Sequence, residues 1–224
     1  MVSVGSGLTM PDIGMGTASY PPADAATVKS AVVEAIGAGY HHFDMAFIYR
    51  SEQPLGEAIA EAINIGPIKS RDELFITSKL CTFAEQDLLI PAIKTSLENL
   101  RLEYLDLYLI HWPLKFIKDP SAMEECQLLS LTKAIGVSNF STKKLDEILS
   151  FAKIPPAVNQ VSIRNPCYSS PAHGHKNATK RRRIYNNVIG LIKVEMNPLR
   201  QQKVMKEFCK AKGIHVSAHF PLGS

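Results

Sequence analysis

The chain has 224 residues, 46% hydrophobic and 21% charged, with 13 Gly and 14 Pro, a balance that excludes collagen-like, low-complexity and globally disordered proteins. Its net charge of +4 is concentrated in Ser162–Lys193, which holds seven basic residues and no acid and so leaves 18 basic against 21 acidic residues elsewhere, or −3. A mildly acidic chain with one basic block does not read as a nucleic-acid or membrane-surface protein.

From residue 14 onward, short apolar runs rich in β-branched residues alternate with helix-period segments. Gly14–Thr17 reads as a small strand. Asp24 caps a helix whose Val28, Val32 and Ile36 share one face, and Gly37 and Gly39 end it. His42–Ala46 is the next strand, followed by a helix over Glu52–Ile65. Leu74–Leu80 is a strand, and Leu88–Leu100 a helix. Leu105–His111 is short and strongly apolar, as a strand covered on both faces should be. Asp119-Pro120 reads as a cap and first turn opening a helix through Leu129. Ala134–Ser138, Thr142–Phe151 and Ala157–Val161 continue the alternation as strand, helix and strand. Gln201–Lys212 is a helix and Ile214–Ala218 a seventh strand.

Strict alternation implies a parallel sheet with right-handed crossovers, either an open doubly wound sheet or an eight-fold barrel. The open nucleotide-binding sheet needs Gly-x-Gly-x-x-Gly after its first strand, whereas Gly14-Met15-Gly16 runs into Thr17-Ala18-Ser19. A barrel gathers its chemistry at the C-terminal strand ends. Asp44, Lys79, His111, Ser138 with Asn139, and Gln160 close consecutive strands, which favours an enzyme built in a barrel.

Tyr49 follows Asp44 by five residues and can point back over the strand ends. Its phenol is a weak acid unless a cation stabilises the phenolate, which Lys79 can supply with Asp44 holding the ammonium. His111 offers a second donor to a substrate oxygen. Together they suit a carbonyl that gains a hydride. Taken singly, Tyr49 also reads as a packing residue, Asp44–Lys79 as a structural ion pair and His111 as a buried core histidine. Residue chemistry alone leaves a reductase and an isomerase both open.

Several stretches resemble one family. Gly39-Tyr40-His41-His42-Phe43-Asp44-Met45-Ala46, continuing to Glu52 and Leu55-Gly56, resembles the first signature of the aldo-keto reductases. Lys133-Ala134-Ile135-Gly136-Val137-Ser138-Asn139-Phe140 resembles a second. Phe75–Leu80 and Leu107–Pro113 look like the segments carrying the family's lysine and histidine. The similarity covers 4–114, 121–161 and 194–223, and is strongest toward the plant NADPH-dependent type that includes chalcone reductase and deoxymugineic acid synthase.

The resemblance implies an α/β fold: a single (β/α)8 TIM barrel domain over 1–224, incomplete at about seven strands. It implies an oxidoreductase that reduces an aldehyde or ketone to an alcohol by hydride transfer from NADPH. Tyr49 would be the proton donor, Lys79 would lower its pKa, Asp44 would support Lys79, and His111 would orient the carbonyl. Thr17, Asp44, Ser138, Asn139, Gln160 and His219 would contact NADPH, with Ser138, Asn139 and Gln160 at its carboxamide. Tyr49, His111 and Trp112 would face a small-molecule carbonyl substrate. No metal is expected.

The departures are as specific. His41 stands where the family usually has Arg, Met45 where it has a small or hydroxyl residue, and His219-Phe220 where it has an aromatic residue and then Ser. Only six residues separate Leu114 from Ser121, too few for the family's long substrate loop. The block 162–193 interrupts a run that the family carries continuously from Val158–Val161 to Glu195–Pro198. It reads as a disordered basic insertion, a translated intron. Read as function, Lys180-Arg181-Arg182-Arg183 would be a nuclear-localisation or nucleic-acid patch, and Cys167, His173 and His175 a metal hint. The text stops after the seventh strand, so the last helix, strand and helix with the 2′-phosphate pocket are expected to be missing. Seven strands would leave two edges, and cofactor affinity would fall. The expected state is a monomer liable to edge pairing or aggregation. The alternative is a non-catalytic barrel fragment that acts by binding a partner, or a product without function.

No apolar run reaches the roughly 18 residues of a membrane span, and Met1–Met10 is unlike a signal peptide. Cys81, Cys126, Cys167 and Cys209 are therefore expected as thiols, their spacing matches no zinc pattern, and the expected location is cytoplasmic.

Overall fold

Alternation of β-branched and helix-period segments is realised as a parallel sheet wrapped by helices. The structure, a computed structural model, describes residues 1–4, 7–19, 21–80, 88–113, 121–162 and 202–219. An antiparallel hairpin of β1 (Val2–Val4) and β2 (Leu8–Met10) comes first. Then follow β3 (Met15–Gly16), α1 (Ala25–Gly37), β4 (His42–Asp44), α2 (Glu52–Ile65), β5 (Phe75–Leu80), α3 (Leu89–Leu100) and β6 (Leu105–Ile110). The chain continues through α4 (Ser121–Leu128), β7 (Thr132–Ser138), α5 (Thr142–Leu149), β8 (Val158–Ser162), α6 (Lys203–Ala211) and β9 (His215–His219). Strands β3 to β9 pair in sequence order, each parallel to the next. That is an incomplete parallel α/β barrel of seven strands.

Each expected strand and helix is present, with ends that coincide or shift by one or two residues. Asp24 caps α1 by accepting from the Thr27 N–H at 2.9 Å, and Gly39 takes φ +89, which a side chain would resist. Asp119-Pro120, the stretch 163–193 and Phe220 lie outside the described residues. Ser162, expected to open the insertion, instead ends β8 in register with His219. Among the described residues no helix is long and apolar enough to cross a membrane.

Two apolar layers follow from the period of two along each strand. Ile76, Leu80, Tyr108, Ile110, Ile135 and Val137 face the helices. Phe75, Leu107, Leu109, Ala134 and Val158 face the barrel interior, where Val4 and Met10 of the hairpin join them. The hairpin was not expected from the sequence, although Gly5-Ser6-Gly7 between two alternating triplets is its signal. Moving up the same interior faces, Phe75 gives way to Thr77 and Lys79, Leu109 to His111, Ala134 to Gly136 and Ser138, and Val158 to Gln160. The interior is thus apolar at the base and polar at the mouth. Gly136 makes room in between, since a Cβ there would sit 2.7 Å from both Leu109 Cδ2 and the Val158 carbonyl.

The base holds its own charge cluster. Buried Asp106 accepts from Arg71 Nη2 at 2.6 Å and from the Ile76 N–H at 2.8 Å, and pairs with Lys133 at 3.1 Å. Arg71 and Lys133 also lie over the Tyr104 ring, 4.0 and 4.4 Å from its centroid. At the N-terminal strand ends such a cluster serves stability.

Helix contacts leave one position without slack. A Cβ on Gly56 of α2 would fall inside the envelope of the Leu100 carbonyl that ends α3. The obstacle is backbone and cannot rotate away. Gly56→Ala should therefore force α2 and α3 apart and cost about 1–3 kcal/mol, read as a lower denaturation midpoint. An unchanged midpoint would contradict this packing.

Candidate active site

The polar mouth gathers side chains from strands whose neighbours are in register. Asp44 pairs with Thr77 across β4 and β5, and Lys79 with Leu109 across β5 and β6. Asp44 and Lys79, both buried, form a salt bridge through Asp44 Oδ1. Lys79 Nζ also donates to the Met45 carbonyl at 2.9 Å, and Gln160 Nε2 donates to Asp44 Oδ2 at 2.8 Å. Burial pushes the Asp44 carboxyl up, but the Lys79 charge and the bonds from Lys79 and Gln160 outweigh it and hold it below the usual carboxylate value. Burial draws Lys79 below an ordinary lysine, with Asp44 opposing.

Tyr49 ends a 3-10 turn over Phe47–Tyr49 and is half-buried. Its hydroxyl and His111 Nε2 are hydrogen-bonded at 3.2 Å, with the rings edge to face. Lys79 Nζ lies 5.3 Å from the Tyr49 ring centroid. The lysine charge thus lies near the phenol ring, while the hydrogen bond of the hydroxyl is shared with the imidazole. The phenol is raised above an ordinary tyrosine, by burial first and then by Asp44. His111 is held well below an ordinary histidine, by burial first and then by Lys79. Its imidazole is therefore neutral near pH 7. It stacks on Trp112 at 3.6 Å, and its Nδ1 has no partner among the described residues.

The amide and hydroxyl groups lie along the same rim. Asn139, at φ +63, donates from Nδ2 to the His111 carbonyl at 3.1 Å and to Ser138 Oγ at 3.0 Å. Ser138 and Gln160 are buried beside it. The His219 ring lies nearly parallel to Tyr49, with centroids 6.4 Å apart, and its Nδ1 is 3.7 Å from Asp44 Oδ1. Burial lowers His219 to about 4, with Asp44 opposing, so it too is neutral at pH 7. Thr17 reaches the Asp44 carbonyl through its backbone N–H at 2.9 Å and its hydroxyl at 3.3 Å.

The expected residues thus converge on one rim. The sequence reading missed Ser51, whose hydroxyl lies 2.6 Å from that of Thr17, and the tie between Glu52 and Ser78 Oγ at 2.8 Å. No group of His, Cys, Asp and Glu suited to a metal ion occurs among the described residues.

Comparison with known proteins adds the family. The Aldo/keto reductase family matches residues 12–173. A D-galacturonate reductase of Fragaria ananassa is 49% identical, over 96% of this chain and 64% of its own length. An NADPH-dependent codeinone reductase of Papaver somniferum is 46% identical, over 100% and 66%. A deoxymugineic acid synthase of Triticum aestivum is 44% identical, over 96% and 64%. The chain therefore spans about two thirds of the length of these relatives. Among solved structures, a Bombyx mori aldo-keto reductase in complex with NADP superposes with a TM-score of 0.79 at 30% identity, over 98% of this chain and 66% of that one. With the match running from the segment before β3 past β8, and with plant reductases as homologues, the chain belongs to the aldo/keto reductase family.

Proposed function

We propose that this chain reduces an aldehyde or ketone to an alcohol with NADPH, and that Tyr49 is its proton donor. One observation carries the reading: Asp44, Lys79 and His111 from three consecutive strand ends meet Tyr49 from the turn between the first two, in one cluster at the barrel mouth. NADPH, when bound, supplies the hydride. The donor set suits its carboxamide, for Ser138 offers a hydroxyl and Asn139 and Gln160 offer carboxamides on one rim. Thr17, Asp44 and His219 complete the cofactor side. Tyr49, His111 and Trp112 form the substrate side.

In this scheme a carbonyl oxygen is held by Tyr49 Oη and by a neutral His111 ring N–H. As the carbonyl carbon takes the hydride, negative charge grows on that oxygen, and Tyr49 transfers its proton there. Lys79 limits the cost of the phenolate left behind, and Asp44 keeps the ammonium in place. Trp112 steadies His111 through the stacked contact. The enzyme would act in the cytoplasm as a monomer on a small molecule. The basic stretch within 162–193 has no part in the chemistry and is read as an insertion between β8 and α6.

The test is titration of the 224-residue chain with NADPH, following cofactor fluorescence and melting temperature together. Saturable binding with a raised melting temperature is expected, followed by substrate-dependent NADPH oxidation. A chain that folds but binds no NADPH would defeat the reading and leave a binding module.

A further inference from the structure

A serine just ahead of a helix ordinarily directs its hydroxyl to the N–H groups of the first turn. Ser51 stands there ahead of α2, yet its side chain makes no capping bond. Its hydroxyl lies instead 2.6 Å from Thr17 Oγ1, and both residues are buried. A threonine hydroxyl has one proton, and that of Thr17 goes to the Asp44 carbonyl at 3.3 Å. The proton in the shared bond therefore comes from Ser51. The relay from Ser51 through Thr17 to the Asp44 carbonyl joins the start of α2, the end of β3 and the end of β4.

Tyr49 sits two residues before Ser51. Between them Arg50 takes φ 57, the left-handed region that a non-glycine residue occupies only when its surroundings hold it there. On the other side, the Tyr49 N–H bonds the Ala46 carbonyl at 2.9 Å. We propose that the Thr17–Ser51 hydroxyl pair is a positioning device that fastens the strained Tyr49 turn to the strand carrying Asp44, and so aims the phenol at His111. The role in turnover rests on the reading of Tyr49 as proton donor; the geometric role does not.

The test keeps the two apart. Ser51→Ala deletes the donor, Ser51→Thr keeps it, and Thr17→Val deletes the acceptor at nearly constant shape. The first readout needs no turnover. It is the 15N resonance of His111 Nε2 in the full chain, assigned by its change in Tyr49→Phe. Ser51→Ala and Thr17→Val are expected to move it as Tyr49→Phe does, and Ser51→Thr to leave it in place. The second readout is kcat, expected to fall about tenfold in Ser51→Ala with the Kd for NADPH unchanged, because misaiming a reacting group costs rate before it costs binding. A His111 resonance unmoved in either deletion variant overturns the proposal. A moved resonance in a chain that reduces no carbonyl upholds the tether and defeats the reductase reading instead.

Discussion

Tyr49→Phe is expected to lower carbonyl reduction by about 10²–10⁴-fold, the usual worth of a positioned general acid, while the chain remains folded. The substitution removes one oxygen whose hydrogen bond to His111 is 3.2 Å long, on a residue that is already half-buried. A single such bond contributes about 0.5–1.5 kcal/mol net, too little to unfold a barrel. The pH dependence follows from the direction of the shift. Burial and Asp44 raise the phenol, so its protonated form extends to higher pH than for free tyrosine. Proton donation should therefore not decline across the neutral and mildly alkaline range. Retained turnover in Tyr49→Phe, at matched NADPH occupancy, would remove Tyr49 from the mechanism.

Lys79→Met should carry the largest stability effect. The Lys79 side chain is 0% and the Asp44 side chain 8% exposed. Methionine fills much of the same volume but leaves a buried carboxylate with Gln160 and no cation. Breaking a buried pair from one side costs about 3–5 kcal/mol, whereas removing both charges is often near neutral. The double variant Lys79→Met with Asp44→Asn should therefore recover most of the lost midpoint in urea. If single and double variants lose the same amount, the charge left behind is not the cause. The sign with pH is fixed by Asp44. Its folded value is depressed, so its stabilisation is fully present above the unfolded value of about 3.9 and is lost as pH falls through the folded value. Without Lys79 the acid transition should move to higher pH.

Much of this was legible in the sequence because it follows from periodicity. Polar residues closing apolar strands mark a barrel mouth whether or not a family is recognised, and Asp44, Lys79, His111, Ser138 and Gln160 all lie there. What escaped depends on contacts between distant side chains. Asp106 sits within a run that reads as strongly apolar, and its partners Arg71 and Lys133 lie on other segments. The three-residue strands of the hairpin are too short for a period to declare itself. The hydrogen-bond partner of the Tyr49 hydroxyl escaped too, because His111 lies 62 positions away on another strand end. Ser51 escaped for the same reason, since the hydroxyl it meets, that of Thr17, lies 34 positions away.

The bonds of the mouth also carry an order in time. The Asp44–Lys79 bridge spans 35 positions, the Tyr49–His111 bond 62, and the Gln160–Asp44 bond 116. Contacts between remote positions form late, because the loop between them must close first. On a growing chain the ion pair can close once β5 has emerged, and Tyr49 can meet His111 once β6 is in place. Gln160 reaches the carboxylate only after β8 has joined the sheet. A nascent chain thus closes the Tyr49–His111 pair before Gln160 completes the rim.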